Sequence, residues 1–275
     1  MNASVLVTVE ELQRSLVGDR PPLVLDCRAR LDDASAGKRL WRESHIPGSH
    51  QLDMDRDLSS PPGDGGRHPL PSPEAFTTTI QCLGIQPHRA VVVYDDKGGQ
   101  LSAARAWWML ACWARHPDVR VLDGGLPAWQ AAGGELATNE SISPLTSRWR
   151  PDFDHTVLIS ARDLLEDGGL LVDARGEARF RGDEEPIDAV AGHIPGAACR
   201  PSSTNLDATG HFKSPRRLAE ELPRADSVTA YCGSGVTACH NILAYAIAGL
   251  PLPRLYAGSW SEWIRDPARP VATGD

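Results

Sequence analysis

No basic excess, no paired-cysteine motif and no long apolar run occur in this chain of 275 residues. Each absence removes a class of function. Lys and Arg number 28 against 36 Asp and Glu, a net charge of -8, so the electrostatic footprint of a nucleic-acid binder is missing and no such partner is expected. Cys27, Cys82, Cys112, Cys199, Cys232 and Cys239 form neither a C-x-x-C pair nor the spacing of a disulfide framework. Thiols so arranged suit a reducing compartment, and the expected location is the cytoplasm. The N-terminal Met-Asn-Ala-Ser-Val has no basic and no apolar region, so no signal peptide is expected. The most apolar early run, Ala106 to Ala114, is too short to span a bilayer, and no membrane partner is expected.

What is present is a hydrophobic content of 41% with 23% charged residues, a globular composition on a chain long enough for two cores. The chain also repeats itself. Ser4-Val-Leu-Val-Thr-Val-Glu-Glu-Leu12 returns as Thr156-Val-Leu-Ile-Ser-Ala-Arg-Asp-Leu164. Both read as a short strand, an N-cap at Thr8 or Ser160 with an acid three residues on, and a helix. Leu23-Val-Leu-Asp-Cys-Arg28 matches Leu170-Leu-Val-Asp-Ala-Arg175, and His45-Ile-Pro-Gly-Ser49 matches His193-Ile-Pro-Gly-Ala197. Ala90-Val-Val-Val-Tyr-Asp95 then matches Ser227-Val-Thr-Ala-Tyr-Cys232, and Leu122–Trp129 matches Leu255–Trp263. Anchors kept in one order mark a tandem domain pair. Each copy alternates short β-rich runs with helical stretches, which predicts an α/β fold with a central parallel sheet flanked by helices on both faces. The expected division is residues 1–137, a linker over 138–154 and residues 155–275. Asn139, Ser141, Ser143, Pro144, Ser147 and Pro151 give the linker its composition, and Trp149 and Phe153 are expected to pin it to a domain surface.

The two copies differ at two places. The first is longer between His45 and Tyr94 by about eleven residues, with the excess in the Pro/Gly-rich Leu58–Pro71, a surface loop by composition. Asp95 also stands where the second copy has Cys232, so only the second can perform thiol chemistry. Cys232 enters a Gly-Ser-Gly turn ahead of a helical stretch. Gly233 and Gly235 let the backbone approach the sulfur, and loop N–H groups with a helix N-terminus favour a thiolate. The same window also suits an inert cysteine buried at a strand end.

The residues after Cys232 narrow its chemistry. A cysteine phosphatase needs an arginine six positions on, and Ala238 stands there. His240 is close in sequence, but a helix carries it away from the loop. Cys232 and Cys239 have no metal-site spacing, and neither a metal nor another cofactor is called for. A thiolate that takes up a sulfur atom as a persulfide fits best. His45 and His193, present in both copies, read as structural. Trp107, Trp108 and Trp113 read as core, Cys239 as packing, and Trp260 and Trp263 as walls of the active-site pocket.

Both Asp-x-Arg strands, both His-Ile-Pro-Gly turns, the Asp95/Cys232 asymmetry and the closing Gly258-Ser-Trp-Ser-Glu-Trp263 resemble the tandem rhodanese-domain sulfurtransferases. The resemblance covers nearly the whole chain. It implies an inactive N-terminal domain before a catalytic one, and Cys-Gly-Ser-Gly-Val-Thr is similar to the 3-mercaptopyruvate branch. That implies substrate contacts from Gly233, Gly235, Val236 and Thr237, carboxylate binding by Arg179, and a relay of Ser234, His68 and Asp55. It further implies transfer of sulfur from 3-mercaptopyruvate to a thiol such as thioredoxin, or to cyanide, with release of pyruvate. The alternatives are a thiosulfate:cyanide sulfurtransferase on the same cysteine and, in another class, a persulfide carrier or redox-sensing module. One departure stands out. The branch places an arginine after Glu-Pro, whereas Glu185-Pro186 is followed by Ile187, so Arg175, Arg181 or a residue of the first copy has to compensate.

Overall fold

The computed structural model describes residues 4–138, 146–166 and 169–275. Two compact units divide the chain. The first contains Met1–Ser60, Pro71–Asp154 and Ala208–Phe212, and the second contains Pro61–Leu70, His155–Asp207 and Lys213–Asp275.

In the first unit, β1 (Leu6–Val7), β2 (Leu23–Asp26), β3 (His50–Gln51), β4 (Val91–Tyr94) and β5 (Val119–Leu122) form one sheet in the order β1-β5-β4-β2-β3, every pairing parallel. Helices α1 (Val9–Leu16), α2 (Ala36–Glu43), α3 (Pro73–Cys82), α4 (Ser102–Trp107) and α5 (Gly125–Ala131) flank it. Strands β2 and β4 are buried at every residue, as covering both faces of a parallel sheet requires. The capping box read at Thr8 is formed: its hydroxyl accepts from Glu11 N–H, and the Glu11 carboxylate accepts from Thr8 N–H. Trp107, Trp108 and Trp113 are buried as expected, but the helix widens after α4 into a π-helical stretch, Trp108–Trp113, which fits bulky rings into the core. The described part of the 138–154 segment packs in this unit. The Trp149 ring meets His116 edge-on at 5.4 Å, and Phe153 lies 4.5 Å from Trp113. Asn139, Ser141, Ser143 and Pro144 lie outside the described residues.

In the second unit, β6 (Leu170–Asp173), β7 (Ala198–Cys199), β8 (Val228–Tyr231) and β9 (Arg254–Leu255) are likewise parallel, in the order β7-β6-β8-β9. They are flanked by α6 (Ala161–Glu166), α7 (Glu177–Arg181), α8 (Pro215–Glu221), α9 (Ala238–Ile247) and α10 (Ser259–Trp263). The counterpart of β1 shrinks to a single bridge, Leu158 to Leu255, which leaves this sheet one strand shorter. The chain leaves β6 toward β7 and returns to β8 on the other side, so the direction of winding reverses between β6 and β8. In open parallel sheets the carboxyl ends of the strands at such a reversal are where ligands bind. Cys232 follows β8 at that end.

The same framework holds both strand ends. Arg28 N–H, Nε and Nη2 donate to the Asp26 carboxylate, and Arg175 does the same to Asp173. All four groups are buried, where an unpaired charge would cost several kcal/mol or more. The recurrent histidines are structural. His45 Nδ1 lies 2.6 Å from the Trp41 carbonyl and its ring stacks on Trp41, while His193 Nδ1 lies 2.8 Å from the Phe180 carbonyl and its ring stacks on Phe180. Each also ties down a later segment by paired backbone bonds, His45 with Ala137 and His193 with Ala272. No helix among the described residues is long and apolar enough to cross a membrane.

Candidate active site

The site grows from the turn between β8 and α9. Cys232 is buried, its N–H donates to Ser259 Oγ at 3.1 Å, and its carbonyl accepts from Trp260 N–H at 3.0 Å. The next carbonyl, that of Gly233, accepts from Ser261 N–H at 2.9 Å. The start of α10 therefore holds the thiol's backbone on one side. Gly235 sits at φ 75°, and a Cβ there would come within 2.3 Å of the Ala257 carbonyl, so only glycine fits. Val236 is buried and Thr237 occupies the N-cap position of α9. Among the described residues, the N–H groups of Gly233, Ser234, Val236 and Thr237 meet no protein acceptor. Together with the helix N-terminus they form a pocket of donors suited to an anion.

Ser234 Oγ lies 2.8 Å from His68 Nδ1. His68 comes from the Pro61–Leu70 segment, which packs within the second unit, and Arg67 N–H is anchored there by Ser261 Oγ at 3.1 Å. The Pro/Gly-rich loop thus contains no helix or strand yet is fixed in place.

Charge is concentrated above Gly233. Arg179, on α7, gives Nε and Nη2 to Glu185 and Nη2 to Asp188 Oδ2 at 3.1 Å. Arg67 Nη1 pairs with the other oxygen of Asp188, so one carboxylate joins two guanidiniums. Burial pushes the Asp188 carboxyl up against the pull of both arginines. Burial also opposes ionisation of Glu185, but Arg179 and the N–H groups of Asp188 and Ile187 outweigh it and hold the carboxyl below its usual range. A Cβ at Gly233 would meet Arg67 Nη2 at 2.9 Å and Arg179 Nη1 at 3.5 Å. The missing side chain is what lets two cations approach the cysteine loop.

The structure therefore brings together Cys232, Gly233, Ser234, Gly235, Val236, Thr237, His68 and Arg179 in one unit. Asp55 belongs to the other unit, on an exposed turn where its N–H donates to Asp53 Oδ1. It lines an open depression of about 810 Å³ with Lys38, Arg39, Arg42 and Arg56 that contains no cysteine. Ile187 is 52% exposed. Trp260 and Trp263 are core residues rather than pocket walls; Trp260 is covered by the Arg175 guanidinium 4.9 Å from the ring centroid. His240 is buried on α9, with Asn205 Nδ2 at 3.2 Å from its Nδ1. Burial pushes the thiols of Cys112 and Cys199 up to about 12 and about 11 and that of Cys27 well above its usual value, which disfavours their thiolates. No cluster of three or more His, Cys, Asp or Glu suited to a metal occurs among the described residues.

Sequence reasoning missed three contributors. Arg67 adjoins His68 in the added loop, and the uncharged position 187 was the signal that a cation had to come from elsewhere. Asp188 gave no signal. Ser259 lies inside the noted Gly258–Trp263 motif, but its φ of 54° cannot be read from sequence.

Residues 8–132 and 159–266 each match the Rhodanese-like domain. The chain belongs to the rhodanese family of sulfurtransferases. A protein of Pseudomonas aeruginosa named as a probable 3-mercaptopyruvate sulfurtransferase is 48% identical across the full length of both chains. A thiosulfate sulfurtransferase of Gallus gallus is 35% identical, covering 88% of this chain and 86% of its own. Among solved structures, 3-mercaptopyruvate sulfurtransferase from Leishmania major superposes with a TM-score of 0.85 at 29% identity, over 96% of this chain and 76% of that one. Within the rhodanese fold it is the second copy that carries the thiol.

Proposed function

We propose that this rhodanese transfers sulfur from 3-mercaptopyruvate through a persulfide on Cys232 to a thiol acceptor such as thioredoxin, or to cyanide, and releases pyruvate. The observation that carries the reading is the Ser234–His68 contact beside Cys232. Sulfite leaves thiosulfate without needing a proton, whereas pyruvate leaves as an enolate whose carbon must be protonated. A hydroxyl bonded to an imidazole serves the second reaction and is idle in the first.

The Cys232 thiolate attacks the donor sulfur, the sulfur–C3 bond breaks, and its electron pair passes to C3. C3 gains the proton that the new persulfide gives up, relayed through Ser234 and His68. Loop N–H groups from Gly233 to Thr237 hold the negative terminal sulfur, and Arg179 binds the donor carboxylate. Attack by the acceptor on that sulfur restores the thiolate. The family resemblance adds Asp55 to the relay residues, and Asp55→Asn tests that assignment through kcat. No metal or organic cofactor takes part in these steps. The six free cysteines suit a reducing compartment, the cytoplasm.

The test is a parallel assay of 3-mercaptopyruvate and thiosulfate with cyanide as acceptor, with the mass of the Cys232 peptide measured after each donor. Pyruvate release with higher kcat/KM for mercaptopyruvate, and an adduct of one sulfur atom, is expected. A higher value for thiosulfate assigns the chain to the alternative donor, and an adduct without turnover makes it a sulfur carrier.

A further inference from the structure

The Ser234–His68 hydrogen bond joins two irregular segments, the cysteine turn and the Pro61–Leu70 loop. Each needs a fixed support, because a displacement of about 1 Å in such a pair can cost much of its contribution to catalysis. One residue supports both. Ser261, on α10 and 7% exposed, gives its N–H to the Gly233 carbonyl at 2.9 Å, one residue before Ser234. Its hydroxyl accepts from Arg67 N–H at 3.1 Å, one residue before His68. The same hydroxyl donates to the Gly258 carbonyl at 3.2 Å, which turns its lone pairs toward the loop.

The loop is shaped to reach that hydroxyl. Gly63 and Gly66 exchange paired backbone bonds, and Gly66, at φ 98°, lies flat on the first turn of α10. A Cβ on Gly66 would come within 2.6 Å of Ser261 Oγ and 2.9 Å of the Gly258 carbonyl oxygen, so a side chain there would lift the loop. Asp64 meets Arg265 in an exposed pair worth little, and Arg67 meets Asp188 only through the far end of its side chain. Of these contacts, the backbone bond to Ser261 is the one that sets the direction of the chain into His68. We propose that Ser261 is a positioning residue of this site, setting Ser234 and His68 in register by holding the residue before each. The inference rests on the functional reading above, and Ser261 acts through the two relay residues rather than on the substrate.

The experiment compares wild type, Ser261→Ala and Gly66→Ala in steady-state assays with 3-mercaptopyruvate and thiosulfate. It adds the rate at which diethylpyrocarbonate modifies His68, read from the mass of its peptide. Ser261→Ala keeps the N–H to Gly233 and removes the acceptor for Arg67. It is expected to lower kcat for mercaptopyruvate about tenfold with KM changed less than about twofold, while thiosulfate turnover stays within about twofold of wild type. His68 should be modified severalfold faster, because the loop opens more often. Gly66→Ala should give the same pattern from the other side of the contact. Equal losses with both donors, or a Ser261→Ala protein of unchanged Tm with unchanged mercaptopyruvate kcat, overturn the proposal. If Ser261→Ala does not fold, Gly66→Ala decides it by the same criteria. If the wild type releases no pyruvate from mercaptopyruvate, the functional reading fails, and Ser261 is then judged by His68 modification alone: faster modification in the variants supports its hold on the loop, and unchanged rates overturn it.

Discussion

The turn after β4 and the turn after β8 leave matching strands at matching places, yet one is filled by its own side chain and the other is open. After β4, the Asp95 carboxylate accepts from the N–H groups of Lys97 and Gly99 at 2.8 Å and of Ala103 at 3.3 Å. After β8, the residue at the equivalent position is Cys232, and the N–H groups of Gly233, Ser234, Val236 and Thr237 meet no protein acceptor among the described residues. The first copy thus fills its nest of donors with its own carboxyl group. The second copy leaves its nest open, and under the proposed function the anion that fills it is a persulfide that comes and goes.

A second contrast lies where each turn is clamped. Leu126 N–H donates to the Asp95 carbonyl as Trp260 N–H does to that of Cys232, and the residue before each has positive φ. In the silent copy that residue is Gly125, at φ 58°; in the catalytic copy it is Ser259, at φ 54°. A serine there costs about 1 kcal/mol. The Ser259 hydroxyl offsets the strain by accepting from Cys232 N–H and donating to the Tyr256 carbonyl. In this turn the strain falls on the residue that holds the Cys232 backbone.

Four changes break or sharpen this comparison. The largest effect belongs to Cys232→Ser, expected to remove turnover by roughly 10⁴-fold or more. Adding Asp95→Cys to that variant should not restore pyruvate release, because the first turn has no Ser–His pair at the thiol; recovered activity would show the two turns to be interchangeable. Next, Ser234→Ala should lower kcat with mercaptopyruvate by about 10²-fold with little change in KM, while thiosulfate turnover stays nearly constant. Equal losses with both donors would remove the relay from the mechanism. Third, Ser259→Ala should destabilise the protein by about 1–3 kcal/mol in urea unfolding, since it keeps the strain and leaves a buried N–H unpaired. Ser259→Gly should cost less, because it relieves the strain.

The smallest effect is a pH dependence. Burial raises the Asp95 carboxyl above its ordinary value, against the lowering by its three N–H donors. A raised folded pKa means that the group's contribution to stability is complete below its unfolded value, about 3.9, and is lost as pH rises through the folded value. Asp95→Asn should therefore gain on the wild type from pH 4 upward when urea unfolding is compared at successive pH values. The opposite trend would mean that the donors outweigh burial and that the nest prefers an anion even without solvent.

Much of this could be read from the amino-acid order. Strands β2, β4, β6 and β8 stand out as apolar runs, and the aligned Asp95 and Cys232 already say which of the two turns offers a thiol. The π-helical stretch Trp108–Trp113 was hidden, since a run that is apolar all round gives no period from which an extra residue per turn could be noticed. The meeting of His68 with Ser234, 166 residues apart, follows from no local pattern and came only through family resemblance. Arg67 is not legible in the sequence although it adjoins His68, because its place is set by Asp188 and by Ser261, both far along the chain.

The placement of Pro61–Leu70 also bears on how the protein can be taken apart. The repeats suggest a cut near residue 155, and a gene trimmed there would encode an intact β8, an intact cysteine turn and a complete parallel sheet. It would not encode His68 or Arg67. The half with Cys232 would emerge without the imidazole that meets Ser234 and without the guanidinium that pairs with Asp188, while the other half would hold both. Removing the first half of the chain would therefore strip side chains from beside Cys232 although the repeat that holds the cysteine stayed whole.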